Sequence, residues 1–192
     1  MWRGIISLQS VLKSVVKEYR LTVCFRTQGS GCGSVIDLLV SCLADEGEGI
    51  LVARPFYNGF AASFECRSGV IPIGVDLDVP VGEESGVEAI AAYERKLLAC
   101  RKDGMVVRAI MICNPHNPLG QYSNSSLVVH DRLTKRCAGF CYPKETLLAY
   151  AAFAQKYDLH LISDEIYALS VFKTEGSYCS SDIGLMLTRL GW

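Results

Sequence analysis

Two short loops in this 192-residue sequence combine a stiff backbone with side chains suited to gripping a small ligand. The first runs Asn114-Pro115-His116-Asn117-Pro118-Leu119-Gly120. A residue before proline avoids the helical region, so two Asn-Pro steps hold the chain extended until Gly120 lets it turn. An asparagine amide presented from such a loop gives a directional hydrogen bond, which makes Asn117 a candidate binding residue. His116, between the two pairs, reads as a loop residue and not as a catalytic base. The second loop is Asp164-Glu165-Ile166-Tyr167, directly after an apolar run. A carboxylate at the end of a buried strand is costly without a cationic or donor partner, so Asp164 is either a ligand group or a strand-end cap.

Two further corners belong with these. Gly29-Ser30-Gly31-Cys32-Gly33-Ser34 stands where a strand gives way to a helix. Backbone N–H groups at such a helix start cradle phosphate, aided by the helix dipole, and a purely structural glycine turn stays open beside that reading. The dinucleotide fingerprint G-x-G-x-x-G fails because its last position is Ser34, and the acids at the expected distance, Glu46 and Glu48, lie in a turn. Arg54-Pro55-Phe56-Tyr57 follows another apolar run. Phe56 and Tyr57 have the faces to cover a flat ring, or else belong to the core.

The elements that must position these corners alternate. Strands are expected over 21–26, 50–53, 70–77, 106–113 and 159–167, and helices over 34–45, 56–69, 86–104 and 143–158. That order predicts an α/β fold of three layers, αβα, around a mainly parallel sheet. Ligands of such sheets bind at the carboxyl ends of the strands, where all four corners fall. Ahead of them, apolar residues from Ile5 to Val16 fit an amphipathic helix, and residues 1–20 are read as an N-terminal helical segment.

Half the residues are apolar, a fifth are charged and the net charge is −1. Those values exclude a disordered chain and give no basic field for nucleic acid. No apolar run reaches the roughly 20 residues of a membrane span. Nine cysteines, odd in number and scattered, suggest small buried apolar residues in a reducing compartment. Cys137 and Cys141 lack a second pair at metal spacing, so no metal site is expected. A cytoplasmic location fits; the acid-poor first 26 residues leave a mitochondrial presequence as the alternative.

The four corners in this order resemble the fold type I, or aspartate-aminotransferase-fold, family of pyridoxal-phosphate enzymes, closest to 1-aminocyclopropane-1-carboxylate synthases and their animal synthase-like relatives. The residues that carry the resemblance are SGCGSVIDLL, GEGILVARPFYNGF, NPHNPLG and LISDEIYALSVF. The resemblance covers 21–172 as a partial cofactor-binding large domain, apart from an inserted run at about 122–141, and leaves 173–192 as an unmatched tail. It implies pyridoxal 5'-phosphate as cofactor and amino acids as substrates. It places the cofactor phosphate on the backbone N–H groups of Cys32 and Gly33, and Tyr57 against the ring. It gives Asn117 and Tyr167 to the ring's phenolic oxygen and Asp164 to the ring nitrogen.

The family's Schiff-base lysine follows the D-E-x-Y tyrosine by some tens of residues. Here the one lysine after Asp164 is Lys173, nine residues on and out of context, so no catalytic residue is assigned. The phosphate-binding arginine and the small domain are unmatched as well. The expectation is therefore a family member with little or no turnover as this chain stands. The alternatives are a non-catalytic module that dimerises with itself or with a full-length homologue, and a truncated product without function. A dinucleotide-dependent oxidoreductase ranks behind these.

Asn117 and Asp164 lie 47 residues apart, whereas one helical crossover needs a unit of roughly 30. The excess matches 122–141, which has no sustained helical or strand period; adjacent residues rarely face each other, so His130 and Asp131 are not read as a catalytic pair. Deleting 122–141 is expected to leave the fold no less stable, with the urea midpoint equal to or above that of the full chain.

Overall fold

The structure, a computed structural model, describes residues 12–16, 19–23, 29–77, 86–118 and 142–167. Its centre is a four-stranded sheet of β3 (Gly49–Ala53), β4 (Ile71–Val75), β5 (Val107–Cys113) and β6 (His160–Asp164), in the order β4-β3-β5-β6. Every pairing in it is parallel. Side chains alternate across a strand, so successive apolar residues feed opposite faces. Leu51 and Ala53 of β3, Ile110 and Ile112 of β5 and Leu161 of β6 meet α3 (Gly86–Lys102) and α4 (Lys144–Tyr157) on one side. Ile50 and Val52, Ala109 and Met111, and Ile162 meet α1 (Cys32–Leu43) and α2 (Gly59–Ser68) on the other. These are the three layers expected, and the all-buried β3 is the mark of a strand covered on both faces.

The helices follow the same logic. On α4, Leu147, Tyr150, Phe153 and Ala154 recur at helical spacing and are buried, while Leu148 is 44% exposed. Tyr93 of α3 meets Tyr150 and Phe153 edge-on, at 5.3 Å and 6.2 Å between ring centres, and so zips the two helices together. α2 stops at Gly69, whose φ of 63° is left-handed and whose N–H returns to the Glu65 carbonyl. Between β3 and β5 the register slips by one residue, Gly49 facing Val107 and Ile50 facing Ala109. The residue left over is Arg108, whose guanidinium grips both oxygens of Glu48 at 2.7 Å and 2.5 Å.

Two expectations need correction. Within the segment read as a helix, Leu12–Val16 is a strand, β1, paired antiparallel with β2 (Tyr19–Val23). The apolar spacing fits a helix, but Val15 and Val16 are β-branched, and the partner strand that settles the matter is invisible to local periodicity. The strand expected over 21–26 is therefore the second arm of this hairpin and lies outside the parallel sheet. Of the described cysteines, Cys100 and Cys113 are buried, but Cys42 and Cys66 are exposed. They fall on the outer faces of α1 and α2, whose inner faces hold Val40 and Phe64. The run 122–141, the Cys137–Cys141 pair, Lys173 and the tail 173–192 lie outside the described residues.

Leu147 and Leu148 give the packing a direct test. Leu147→Ala is expected to cost about 2–5 kcal/mol in urea unfolding. Leu148→Ala one position away should stay within about 0.5 kcal/mol.

Candidate functional site

Because the sheet is parallel, the carboxyl ends of its strands open on one edge, and the corners after β3, β5 and β6 lie along it in sheet order. Cys113 and Asp164 are register partners at the last rung of β5 and β6. One further main-chain bond, Asn114 N–H to the Asp164 carbonyl at 2.8 Å, continues the ladder into the loop. The start of α1 reaches the same edge, since the Cys32 thiol donates to Asp164 Oδ1 at 3.1 Å.

Asp164 is the electrostatic centre of the edge. It is only 7% exposed. Burial pushes its carboxyl above the usual aspartate range, opposed by bonds from the Cys32 thiol and the Ile166 N–H. Both donors meet the same oxygen, Ile166 N–H reaching Oδ1 at 3.1 Å. Oδ2 accepts no hydrogen bond among the described residues. The thiols beside it are held protonated. Burial, and then the Asp164 charge, drive Cys32 far above the usual thiol range and Cys113 up to about 12.

α1 begins at Cys32 after Gly31, whose φ of 100° suits only glycine, and no side chain caps it. The N–H groups of Cys32 and Gly33 therefore keep the free valence that a helix start offers an anion. Ser34 turns its hydroxyl back to the Gly31 carbonyl at 2.9 Å.

On the neighbouring loop the chain bends at Asn114–Pro115 and turns at Asn117–Pro118, where an extended run was expected. Asn117 Nδ2 points at Tyr167 Oη, 3.3 Å away, so the two residues predicted to share one ligand atom do converge. Tyr57 is 47% exposed, and among the described residues its ring packs within its own corner. The ring meets Phe60 edge-on at 5.6 Å and lies over Gly59, where an added Cβ would stand 2.3 Å from Tyr57 Cε1. His116 is 5% exposed and burial pushes it down to about 4, as suits a packed loop residue. With Phe56, Phe60, Cys113, Asn117 and Tyr142 it lines a small cavity under the loop.

Thus Cys32 joins Asp164, Asn117 joins Tyr167, Gly33 stands at the open helix start, and Tyr57 flanks them from the β3 corner. Sequence reasoning missed two features. It took Cys32 for its backbone only, and it gave no role to Asn114, which is wholly buried with Oδ1 accepting the Tyr142 N–H at 3.0 Å. The signal for Asn114 was its place in the doubled Asn-Pro motif. No group of three or more metal-binding side chains occurs among the described residues, and no described helix is long and apolar enough to cross a membrane.

Comparison with known proteins places this arrangement. The probable aminotransferase gliI of Aspergillus fumigatus is 35% identical over 162 residues, covering 79% of this chain and 31% of that protein. The human probable inactive 1-aminocyclopropane-1-carboxylate synthase-like protein 2 is 36% identical over 146 residues, covering 74% of this chain and 22% of that one. The chain thus spans less than a third of the length of these relatives. Among solved structures, alanine aminotransferase from Pyrococcus furiosus superposes with a TM-score of 0.53 at 23% identity, over 76% of this chain and 30% of that one. Aspartate aminotransferase of Thermus thermophilus with maleate superposes at 0.51 and 21%, again over 76% of this chain and 31% of that one. At such identities these two establish the fold, that of the aspartate aminotransferases. The family model for aminotransferase class I and II matches residues 10–129, starting within the segment expected to be unmatched and ending inside the run set apart as an insert. With more than half its length so matched, the chain belongs to the class I and II aminotransferases, a family whose cofactor is pyridoxal phosphate.

Proposed function

We propose that this chain is the ring-holding part of a pyridoxal-phosphate protein of the aminotransferase or 1-aminocyclopropane-1-carboxylate synthase-like kind, with amino acids as the substrate class. The observation that carries the reading is the convergence of Cys32 with Asp164 and of Asn117 with Tyr167 on one sheet edge. The residues present fit the cofactor. Asp164 is a buried carboxylate with Oδ2 unpartnered among the described residues, which suits a protonated ring nitrogen. The uncapped start of α1 suits a phosphate on the N–H groups of Cys32 and Gly33. Asn117 and Tyr167 present a donor pair for the phenolic oxygen, and Tyr57 offers an exposed aromatic face.

When bound, the cofactor supplies an electron sink for carbanion chemistry at an amino acid. Asp164 holds the ring-nitrogen proton in place by charge. Asn117 and Tyr167 orient the opposite side of the ring, and the Tyr57 face limits water on that side.

The proposal includes little or no turnover by residues 1–192 on their own. A lysine normally moves the proton at the substrate carbon, and such a base contributes about 10²–10⁴-fold. The one lysine after Asp164 in this sequence is Lys173, outside the family's Ser-x-x-Lys context. A second reading, pairing with a longer relative or with another copy, is supported by β4 and β6, each paired on one side only among the described residues.

Titration with pyridoxal phosphate, followed by cofactor absorbance, should show saturable binding. Borohydride should fix no cofactor to a lysine, and no amino-acid turnover should appear. Covalent trapping together with turnover would refute the inactive reading, and absence of saturable binding would refute the cofactor reading.

Asp164→Asn separates stability from binding. A carboxyl whose folded pKa lies above its unfolded value, about 3.9, favours folding in its protonated form. That contribution is full below the unfolded pKa and is lost as pH rises through the folded one. Near pH 7 the unliganded Asp164→Asn chain should therefore unfold at a urea concentration no lower than wild type. The gap should close as pH falls through the folded pKa. Pyridoxal-phosphate affinity should drop about tenfold or more, the worth of a hydrogen bond to a charged group. A destabilised variant that binds the cofactor like wild type would contradict both halves.

A further inference from the structure

The amide of Asn117 is useful only if its loop is fixed relative to Asp164, and the two residues sit on loops from different strands. Two hydrogen bonds at Asn114 fix it. Its main-chain N–H donates to the carbonyl of Asp164 at 2.8 Å, which locks the loop to the end of β6. Its side-chain Oδ1 accepts the N–H of Tyr142 at 3.0 Å, which locks the same loop to the residue leading into α4, 28 positions away in sequence. The Tyr142 ring, 1% exposed, then stands edge-on to His116 at 6.4 Å and to Tyr150 of α4 at 5.7 Å, and it lines the cavity beneath Asn117.

Resting on the cofactor reading above, we propose that Asn114 is a positioning residue for the ring: it clasps β6, the Asn117 loop and the entry to α4 together, so that Asn117 and Asp164 present their polar atoms in fixed register. The clasp thus joins described residues that stand on either side of 119–141 in the sequence. A merely structural asparagine would affect stability alone. A positioning one moves Asn117, and through it the ring's phenolic oxygen.

The 192-residue chain provides the test with three readouts. Hydrogen exchange of the Tyr142 amide in the unliganded wild type should be protected, although the residue lies outside any helix or strand; exchange at open-loop rates would overturn the proposal before any variant is made. Asn114→Leu removes the acceptor while keeping the branching and the number of side-chain heavy atoms. It should speed Tyr142 exchange at least tenfold and shift the Asn117 side-chain amide resonances. It should also weaken pyridoxal phosphate about tenfold while shifting the pH dependence of the bound cofactor's absorbance. Asn114→Asp, which keeps an oxygen in the same place, should restore Tyr142 protection and the Asn117 resonances. If Asn114→Leu does not fold, Asn114→Ser, whose hydroxyl is too short to reach Tyr142, takes its place. Tyr142 deprotection with unmoved Asn117 resonances would reduce Asn114 to a structural residue and overturn the proposal. A wild type that binds no cofactor would instead sink the cofactor reading, leaving the Tyr142 and Asn117 signals to decide the clasp.

Discussion

The buried carboxylate of Asp164 sets the terms for the rest of the edge. Burial disfavours its charge, and the fold answers with two donors, the Cys32 thiol and the Ile166 N–H, both on Oδ1. Neither donor is a cation. No arginine or lysine pairs with Asp164 among the described residues, although Arg54, Arg67, Arg108 and Lys156 all pair elsewhere on the surface. On the proposed reading a positively charged ligand group at Oδ2 accounts for a carboxylate in so unfavourable a setting, where packing alone would be served by an asparagine. The bland alternative, an acid that caps the next turn, accounts for the Ile166 bond but not for the depth.

The parallel sheet makes that carboxylate part of a site. One rung joins Cys113 to Asp164, one further main-chain bond carries the ladder to Asn114, and three residues later Asn117 faces Tyr167. The β6 corner thus contributes twice, Asp164 and Tyr167 being three residues apart on one loop. The start of α1 is drawn to the same point by the Cys32 bond. The proposed phosphate cradle and the proposed ring partner are therefore mechanically coupled: displacing α1 along its axis would disturb the donor on Asp164 Oδ1.

Much of this was legible in the chain. Gly69, Asp158 and the prolines before α2 and α4 punctuate the elements, and the helices and strands from α1 onward fall within about two to three residues of where periodicity places them. The corners were legible because their chemistry is local: a stiff Asn-Pro loop or a carboxylate after an apolar run is visible in a few residues. What escaped depends on pairing between segments. The β1–β2 pairing overrode a helical apolar pattern, the inward or outward turn of Cys42 and Cys66 depended on which face of α1 and α2 met the sheet, and the Asn114–Tyr142 bond joins residues 28 apart. The apolar period of a single segment reports none of these contacts.

Holding a ring and moving a proton are separate tasks, and the described edge is equipped for the first. Three of the groups that burial shifts there, His116, Cys32 and Cys113, are shifted away from proton transfer near neutral pH. His116, pushed down to about 4, is a weak base sealed beneath the loop. Cys32 is driven far up and Cys113 to about 12, so their thiols stay protonated. An efficient general base has a pKa near the working pH, and burial moves these three in the opposite sense. Asn117 orients without exchanging protons, and Asp164 serves best when its charge stays put. On the proposed cofactor reading, the chemistry at an amino acid's α-carbon thus calls for a base from outside this constellation.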